Sequence, residues 1–384
     1  MNLNHFSFSS FSVTEGHPDK LCDSLSDCIV DAYLEQDPTA KVACNLLAKT
    51  NTIFVVGEIN SQKEINIQKL IRERLKEMGY DSEAKGFNYE SCDIILNITK
   101  QSADISNILQ QGIKEDNLCA GDQGIMFGYA TNETPEKIPL SYKLATQLAN
   151  KLTELRKNNG IKWLRPDGRT EVTVKYENQN GIVKPIQIEH VSIIIQHNPH
   201  VSKDEIESEI KNKVIKAVLP SELVNENTCI SINPQGQPSK IYTGMTGKQI
   251  IADSYGGWGA HGGGAFSGKD PTKMDRSGAY MARWIAKSLV CAGLCERVLV
   301  QVSYNIGKNE PCNIMVDSYG TVTKRGKNDD ELERIVKNNF DLRPGMIIKA
   351  LNLMNVKYKQ TSIGGHFGRV EEGFPWEQAK QLKV

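Results

Sequence analysis

The chain has 384 residues, with 46 Lys and Arg against 46 Asp and Glu, so its formal net charge is zero. That balance excludes the broad basic surface of a nucleic-acid binder and the charge run of an acidic tail. With 39% apolar residues the chain can bury a sizeable core over two or three domains, which excludes disorder.

In chain order, Leu21, Leu25, Cys28, Ile29, Ala32 and Tyr33 recur at helical spacing behind Pro18, a residue suited to a first helical position. Strand-like runs follow at 41–48 and 52–60, then an amphipathic helix over about 64–78 and a strand at 92–98. A second round reads helix 140–157, strands 170–176 and 185–196, helix 203–218 and a short strand at 229–232. A third reads helix 276–292, strands 297–305 and 312–317, and helix 329–339. Three helix–strand–strand–helix rounds predict an α+β fold of three similar α/β subdomains, with mixed or antiparallel sheets and helices on one face. The expected subdomains are 6–104, 105–232 and 233–376. The other face of each sheet needs cover, so a large sheet-to-sheet contact is expected within or between chains.

No apolar run nears the roughly 18 residues needed to cross a bilayer. Met1 to Ser12 also lacks the basic and apolar regions of an export signal, so the expectation is a soluble cytoplasmic protein without membrane or nucleic-acid partners. Nine cysteines, among them Cys28, Cys44 and Cys291 in apolar segments, suggest reduced core thiols rather than a disulfide framework. Cys291 and Cys295, four apart on one helix face, lack the further ligands of a zinc site.

The chemistry is concentrated in segments where glycine and cationic residues interrupt the core pattern. Six glycines fall within the nine residues Gly256–Gly264, allowing positive φ and close backbone approach. Gly263 to Lys269 fits the frame of a P-loop, but Asp270 stands where a hydroxyl should meet magnesium and no buried strand leads in. Lys269 and Lys273 are four apart, so a helical turn would put both ammonium groups on one side, with Asp275 nearby as a ligand for a divalent ion. A polyphosphate with its magnesium satisfies all of these features. Glu15-Gly16-His17-Pro18-Asp19-Lys20 opens the first helix, where free N–H groups and the dipole favour an anion. His17 and Lys20 add donors there, and Asp19 makes sense in a phosphate site as a metal ligand. Glu58, read as a buried carboxylate near a strand end, calls for a cationic ligand group such as an amino acid's ammonium. Gly121-Asp122-Gln123-Gly124 and Arg165-Pro166-Asp167-Gly168-Arg169 are weaker signals that turn chemistry also explains. Phe266-Ser267-Gly268 does not fit the nucleophile elbow of a Ser–His–Asp enzyme.

Together these segments, with Lys100-Gln101-Ser102, the run from Gly121 to Thr134, Trp163 to Asp167, and His261 to Arg276, resemble S-adenosylmethionine synthetase (methionine adenosyltransferase) from about Phe6 to Trp376. The resemblance implies three subdomains about a pseudo-threefold axis, and a homodimer or dimer of dimers with active sites between two subunits. It implies the attack of the methionine sulfur on C5′ of ATP, followed by hydrolysis of the tripolyphosphate to phosphate and pyrophosphate. By the same resemblance, His17, Lys269 and Lys273 would be catalytic. His17, Asp122, Asp167, Arg169, Lys248, Ala265 and Lys269 would meet ATP, and Glu58, Gln101 and Lys273 would frame methionine. Asp19 and Asp275 would bind Mg2+, and 105–117, within Gln101–Asn117, would be a gating loop.

The sequence also departs from the family pattern. Asn45 stands where a Glu usually helps to bind K+, which removes that site's charge. Arg169 replaces a Lys and keeps its charge. The segment Asn233–Gly244 is about four residues shorter than usual and lacks an Arg-Phe pair and a Gly-Asp that meet adenine, ribose and methionine; Lys240 or Tyr242 is the candidate substitute. Gln249 replaces a phosphate-facing Lys, a loss of about 1.5–3 kcal/mol if a charged hydrogen bond goes with it. These departures leave two further readings: a paralogue acting on another thioether, thiol or nucleotide, and a non-catalytic regulatory subunit.

Overall fold

In a computed structural model, residues 4–100, 117–236 and 243–384 are described. Gln101, Lys240, Tyr242 and nearly all of the expected gating loop lie outside them.

The first third of the chain contains β1 (Asn4–Val13), α1 (Pro18–Gln36), β2 (Lys41–Lys49), β3 (Thr52–Asn60), α2 (Ile67–Glu77) and β4 (Asp93–Thr99). The middle third runs through β5 (Gly124–Thr131), α3 (Leu140–Lys157), β6 (Leu164–Gln179), β7 (Ile182–His197), α4 (Lys203–Glu209) and β8 (Cys229–Ile232). Between α4 and β8 the helix continues through a π-helical stretch, Ile210–Ile215. The last third holds β9 (Thr243–Met245), the single turn α5 (Ile250–Asp253), α6 (Met274–Cys291), β10 (Arg297–Tyr304), β11 (Asn313–Asp317), α7 (Asp329–Asn339) and α8 (Pro344–Ala350).

The expected helices and hairpin strands are all present, but, besides the two-residue pair Asp81–Ser82 and Phe87–Asn88 that makes a small sheet of its own, three strands were not anticipated. They are β1, β5 and β9, each opening its third of the chain, and each joins the sheet of a different third. Strand β1 pairs antiparallel with β6, β5 with β10, and β9 with β2. The sheet orders are therefore β1-β6-β7-β8, β9-β2-β3-β4 and β11-β10-β5. In the first two, the last strand runs parallel to its neighbour and the other pairs are antiparallel. This cyclic exchange relates the three α/β subdomains about a pseudo-threefold axis and ties them into one body, since none of these three sheets is complete without a strand from another third.

Each sheet carries its helices on one face: α1 and α2, α3 and α4, or α6 and α7. Helices α1 and α6 are almost wholly buried. Between them lies a fully buried ion pair, in which Arg276 donates to both Asp27 carboxylate oxygens at 2.8 Å. On the open face of β9-β2-β3-β4, Leu47, Val56, Ile95 and Met245 are between 39% and 49% exposed.

All nine cysteines are free thiols, and Cys22, Cys28, Cys44, Cys92 and Cys295 are buried. Cys291 departs from the expectation, being exposed at the last residue of α6. Cys295 lies beyond that helix in a bridge to Val322, so the two do not share a helix face. No helix among the described residues is long and apolar enough to cross a membrane.

Candidate active site

The residues singled out by sequence fall into two groups. The first is built on the N-terminus of α1. Pro18 takes the first helical position, and the His17 ring accepts the Asp19 backbone N–H at Nδ1, capping the helix. That bond leaves Nε2 as the ring's N–H donor. Burial, opposed by Asp19 and helped by the charges of Arg169, Lys20 and Lys248, brings the His17 pKa down to about 4. The ring is therefore neutral at physiological pH.

The segment before the helix is clamped from three sides. Thr14 Oγ1 donates to the Pro166 carbonyl at 2.7 Å, and the buried Glu15 carboxylate pairs with Arg156 and, at 2.7 Å, with Lys157. This places Arg165–Arg169, which form not a turn but the irregular start of strand β6, directly against Gly16–His17. A cavity of about 760 Å³ opens here, lined by His17, Asp19, Asp167, Arg169, Lys248 and Gln249 among others. Asp19 is buried, and burial pushes the Asp167 carboxyl up to about 7 against the pull of Arg169, with the Asp19 charge adding to the rise. Arg169 and Lys248 are exposed at the cavity wall. Asn233 to Gly236, the start of the shortened segment, also lines the cavity, with the Asn233 amide bonded to both backbone groups of Ile195.

Lys20 does not join this wall. Its ammonium is buried between Asp23, at 3.0 Å, and Asp253. Burial alone would lower its pKa, but those two carboxylates hold it above its ordinary value. It is an internal counter-ion, not a free donor. Gln249 also differs from a simple lost cation, because its buried amide donates to Asp19 Oδ2 at 2.7 Å.

The second group surrounds the N-terminus of α6. Asp122, from the turn before β5, accepts the backbone N–H groups of Met274 at 2.6 Å and Asp275 at 3.3 Å, and so caps the helix from another part of the chain. Burial raises its pKa, with the Asp275 charge adding to the effect. Asp275 pairs with Lys269 at 2.5 Å. A Cβ on Gly264 would lie 2.1 Å from Asp275 Oδ1, and one on Gly262 1.7 Å from the Ile125 carbonyl oxygen, which explains two of the glycines. Residues 269–273 form no helical turn, contrary to expectation. Lys269 instead bridges to Ala43 of β2, while the buried Lys273 lies 3.5 Å from Asp270. Asp270 is structural: it accepts the Val42 and Thr272 N–H groups, and although burial opposes ionisation, Lys273 and Lys41 keep it below the usual carboxylate range.

Glu58 is exposed rather than buried, so the desolvation argument for it fails. Its place in the sheet supports the same residue differently. Glu58 pairs with Ala43, and Ala43 with Lys269, which sets Glu58 and Lys269 two strand spacings apart, about 10 Å. Asn45 lies exposed on the same open face. Ala265 packs beside Gly247, next to Lys248, and so stands between the two groups.

No hydrogen bond or ion pair joins the two groups among the described residues, and the 760 Å³ cavity is lined by the first group without Lys269, Lys273 or Asp275. The charges acting on His17 come from the first group and those acting on Asp122 from the second. One residue passed over by sequence reasoning is His261. Its Nδ1 accepts the Gly263 N–H at 2.9 Å, and its buried Nε2, beside the Asp275 group, has no hydrogen-bond partner among the described residues. Only its place in the glycine-rich run marked it in advance.

Comparison with family models matches the N-terminal domain of S-adenosylmethionine synthetase at residues 5–103, the central domain at 117–238 and the C-terminal domain at 236–378. The chain belongs to the S-adenosylmethionine synthetase family. In that family's terms, the first group draws on all three domains and the second on the central and C-terminal ones. Each exchanged strand therefore carries chain from one domain into the sheet of another.

Proposed function

We propose that this member of the S-adenosylmethionine synthetase family forms S-adenosylmethionine from ATP and L-methionine. The observation that carries the reading is the cavity at α1, where a neutral His17 with a free Nε2–H, a pinned Asp19 and the cations Arg169 and Lys248 face one space. The methionine sulfur attacks C5′ of ATP, the C5′–O bond breaks, and tripolyphosphate leaves with the bonding electrons. A thioether has no proton to lose, so a general base is unnecessary and the barrier lies in positioning and in stabilising the anionic leaving group. His17 donates to the bridging oxygen as its charge grows. Arg169, Lys248 and Lys269 hold phosphate oxygens, Asp167 and Ala265 line the nucleotide pocket, and Glu58, Gln101 and Lys273 hold methionine. Water then cleaves the tripolyphosphate to phosphate and pyrophosphate.

Asp19 suits a divalent ion: each carboxylate oxygen accepts one hydrogen bond and keeps lone-pair capacity toward the cavity. Asp275 would be the second Mg2+ ligand, with Lys269 turning from it to the polyphosphate. Bound Mg2+ would supply charge neutralisation of the leaving group. Asn45 offers no charge for K+.

The separation of the two groups supports a site completed by a second copy, apposed through the apolar open face of β9-β2-β3-β4. Such a homodimer gives that face the cover it needs. The test is to mix protein, ATP, methionine and Mg2+ and measure S-adenosylmethionine; no product from folded protein rejects the reading. The shortened Asn233–Gly244 segment, at the rim of the cavity, favours a second reading in which another thioether or nucleotide is used. A substrate panel under the same conditions separates the two.

A further inference from the structure

The segment that delivers Lys248 to the cavity lies along α1. Four residues of helix advance about 6 Å and two residues of extended chain about 6.7 Å, so carboxylates four apart on a helix match N–H groups two apart on a strand. Asp19 and Asp23 make that match: Asp19 Oδ1 accepts the Met245 N–H at 3.0 Å, and Asp23 Oδ1 accepts the Gly247 N–H at 2.7 Å. The residue between them faces the other way, with the Thr246 N–H donating to the Leu46 carbonyl of β2 at 3.0 Å. A Cβ on Gly244 would lie 2.1 Å from the Pro18 carbonyl oxygen, so the segment also rests on the first turn of α1.

At Gly247 the chain turns. Its φ is +77°, and a Cβ there would lie 2.2 Å from the Ala265 Cβ, so glycine is required on both grounds. Lys248 follows directly and stands exposed at the cavity wall. The bond that fixes this turn ends on a fully buried carboxylate, whose other oxygen lies 3.0 Å from the Lys20 ammonium. Asp23 therefore accepts on two sides at once. An asparagine offers one acceptor and one donor, so either the Gly247 N–H or the Lys20 ammonium would face its NH2 group. Lys20 is held in turn by Asp253, at the end of α5.

We infer that Asp23 is a positioning residue for Lys248: anchored by Lys20, it fixes the Gly247 turn and so presets the backbone from which Lys248 reaches a phosphate. The inference rests on the nucleotide reading above. A preset cation spares the ligand the cost of ordering that segment on binding.

The full-length protein and its variants are tested with the non-hydrolysable probe AMP-PNP in Mg2+ buffer, with affinity measured calorimetrically and folding by circular dichroism. Lys248→Met should weaken AMP-PNP by about 10-fold or more, as expected for a lost charged hydrogen bond. Asp23→Asn should weaken it by roughly 5-fold, but by less than about 2-fold in the Lys248→Met background, the non-additivity of a residue that acts through another. Asp253→Asn takes a charge from the same lysine and leaves the Gly247 bond in place, so its affinity should stay within about 2-fold of the unaltered protein. Hydrogen exchange resolved to single amides needs no variant: the Gly247 amide should already be protected in the ligand-free protein. Unchanged affinity in folded Asp23→Asn, an undiminished effect of it in the Lys248→Met background, or an equal loss in Asp253→Asn overturns the inference. So does a Gly247 amide that exchanges freely until AMP-PNP is added, which decides the matter if Asp23→Asn does not fold. If AMP-PNP binds and Lys248→Met has no effect, this inference falls alone; if the unaltered protein does not bind AMP-PNP, the nucleotide reading falls and takes the inference with it.

Discussion

If the two groups of site residues meet only across a pair of chains, damage to one group in one chain and to the other group in its partner must leave one intact site. The variants His17→Ala and Lys269→Ala make this test. Each removes a donor that the proposed function assigns to the leaving polyphosphate, and loss of such a donor lowers turnover by roughly 10²–10³-fold. Neither should unfold the chain, since His17 contributes only a helix cap and Lys269 a partly buried ion pair with Asp275. In a two-fold assembly each site would take His17 from one chain and Lys269 from the other. A mixed pair then has one doubly damaged site and one undamaged site, so it should recover about half of the unaltered activity. Co-expression with two affinity tags and sequential purification isolates the mixed assembly, and production of S-adenosylmethionine is the readout. Activity at the level of the single variants in a confirmed mixed assembly would refute the two-chain site, as would full activity in a chain shown to be monomeric.

Other consequences are equally direct. Breaking the buried Asp27–Arg276 pair with Asp27→Ala should lower stability by about 3–5 kcal/mol in urea, because an arginine is left buried without its partner. Lys20→Met should likewise lower the melting temperature by stranding Asp23 and Asp253, whereas Lys248→Met should weaken AMP-PNP binding and leave the melting temperature nearly unchanged. The opposite pattern would exchange their assigned roles. Burial pushes Asp31 up to about 6, although the Lys359 and Tyr358 N–H groups oppose it. The folded protein thus keeps a proton that the unfolded chain, with a pKa near 3.9, has released. The stabilising contribution is full below about pH 4 and is lost as pH rises through 6. Asp31→Asn should flatten the dependence of melting temperature on pH over that window, and an unchanged slope would count against the assignment.

The sequence alone determined the local elements and the chemical alphabet of the site. Helical spacing behind Pro18, alternating runs at 41–48 and 52–60, and the glycine-rich run before Asp275 depend on residues within a few positions of one another, and period and turn chemistry read such neighbours directly. Strands β1, β5 and β9 escaped because their partners lie in another third of the chain; the Phe-and-Ser alternation of Phe6 to Ser9 acquires its meaning only against β6. Burial escaped for the same reason. Lys20 and Lys248 are both lysines near an expected phosphate, but the fold closes Asp23 and Asp253 around one and leaves the other at a cavity wall. Glu58, expected inside, lies exposed on an open sheet face, and Gln249, expected as a missing charge, is the donor that holds Asp19. Whether a charged group serves as counter-ion, cap or ligand depends on what long-range packing brings within hydrogen-bonding distance, and that is what the tertiary structure decided.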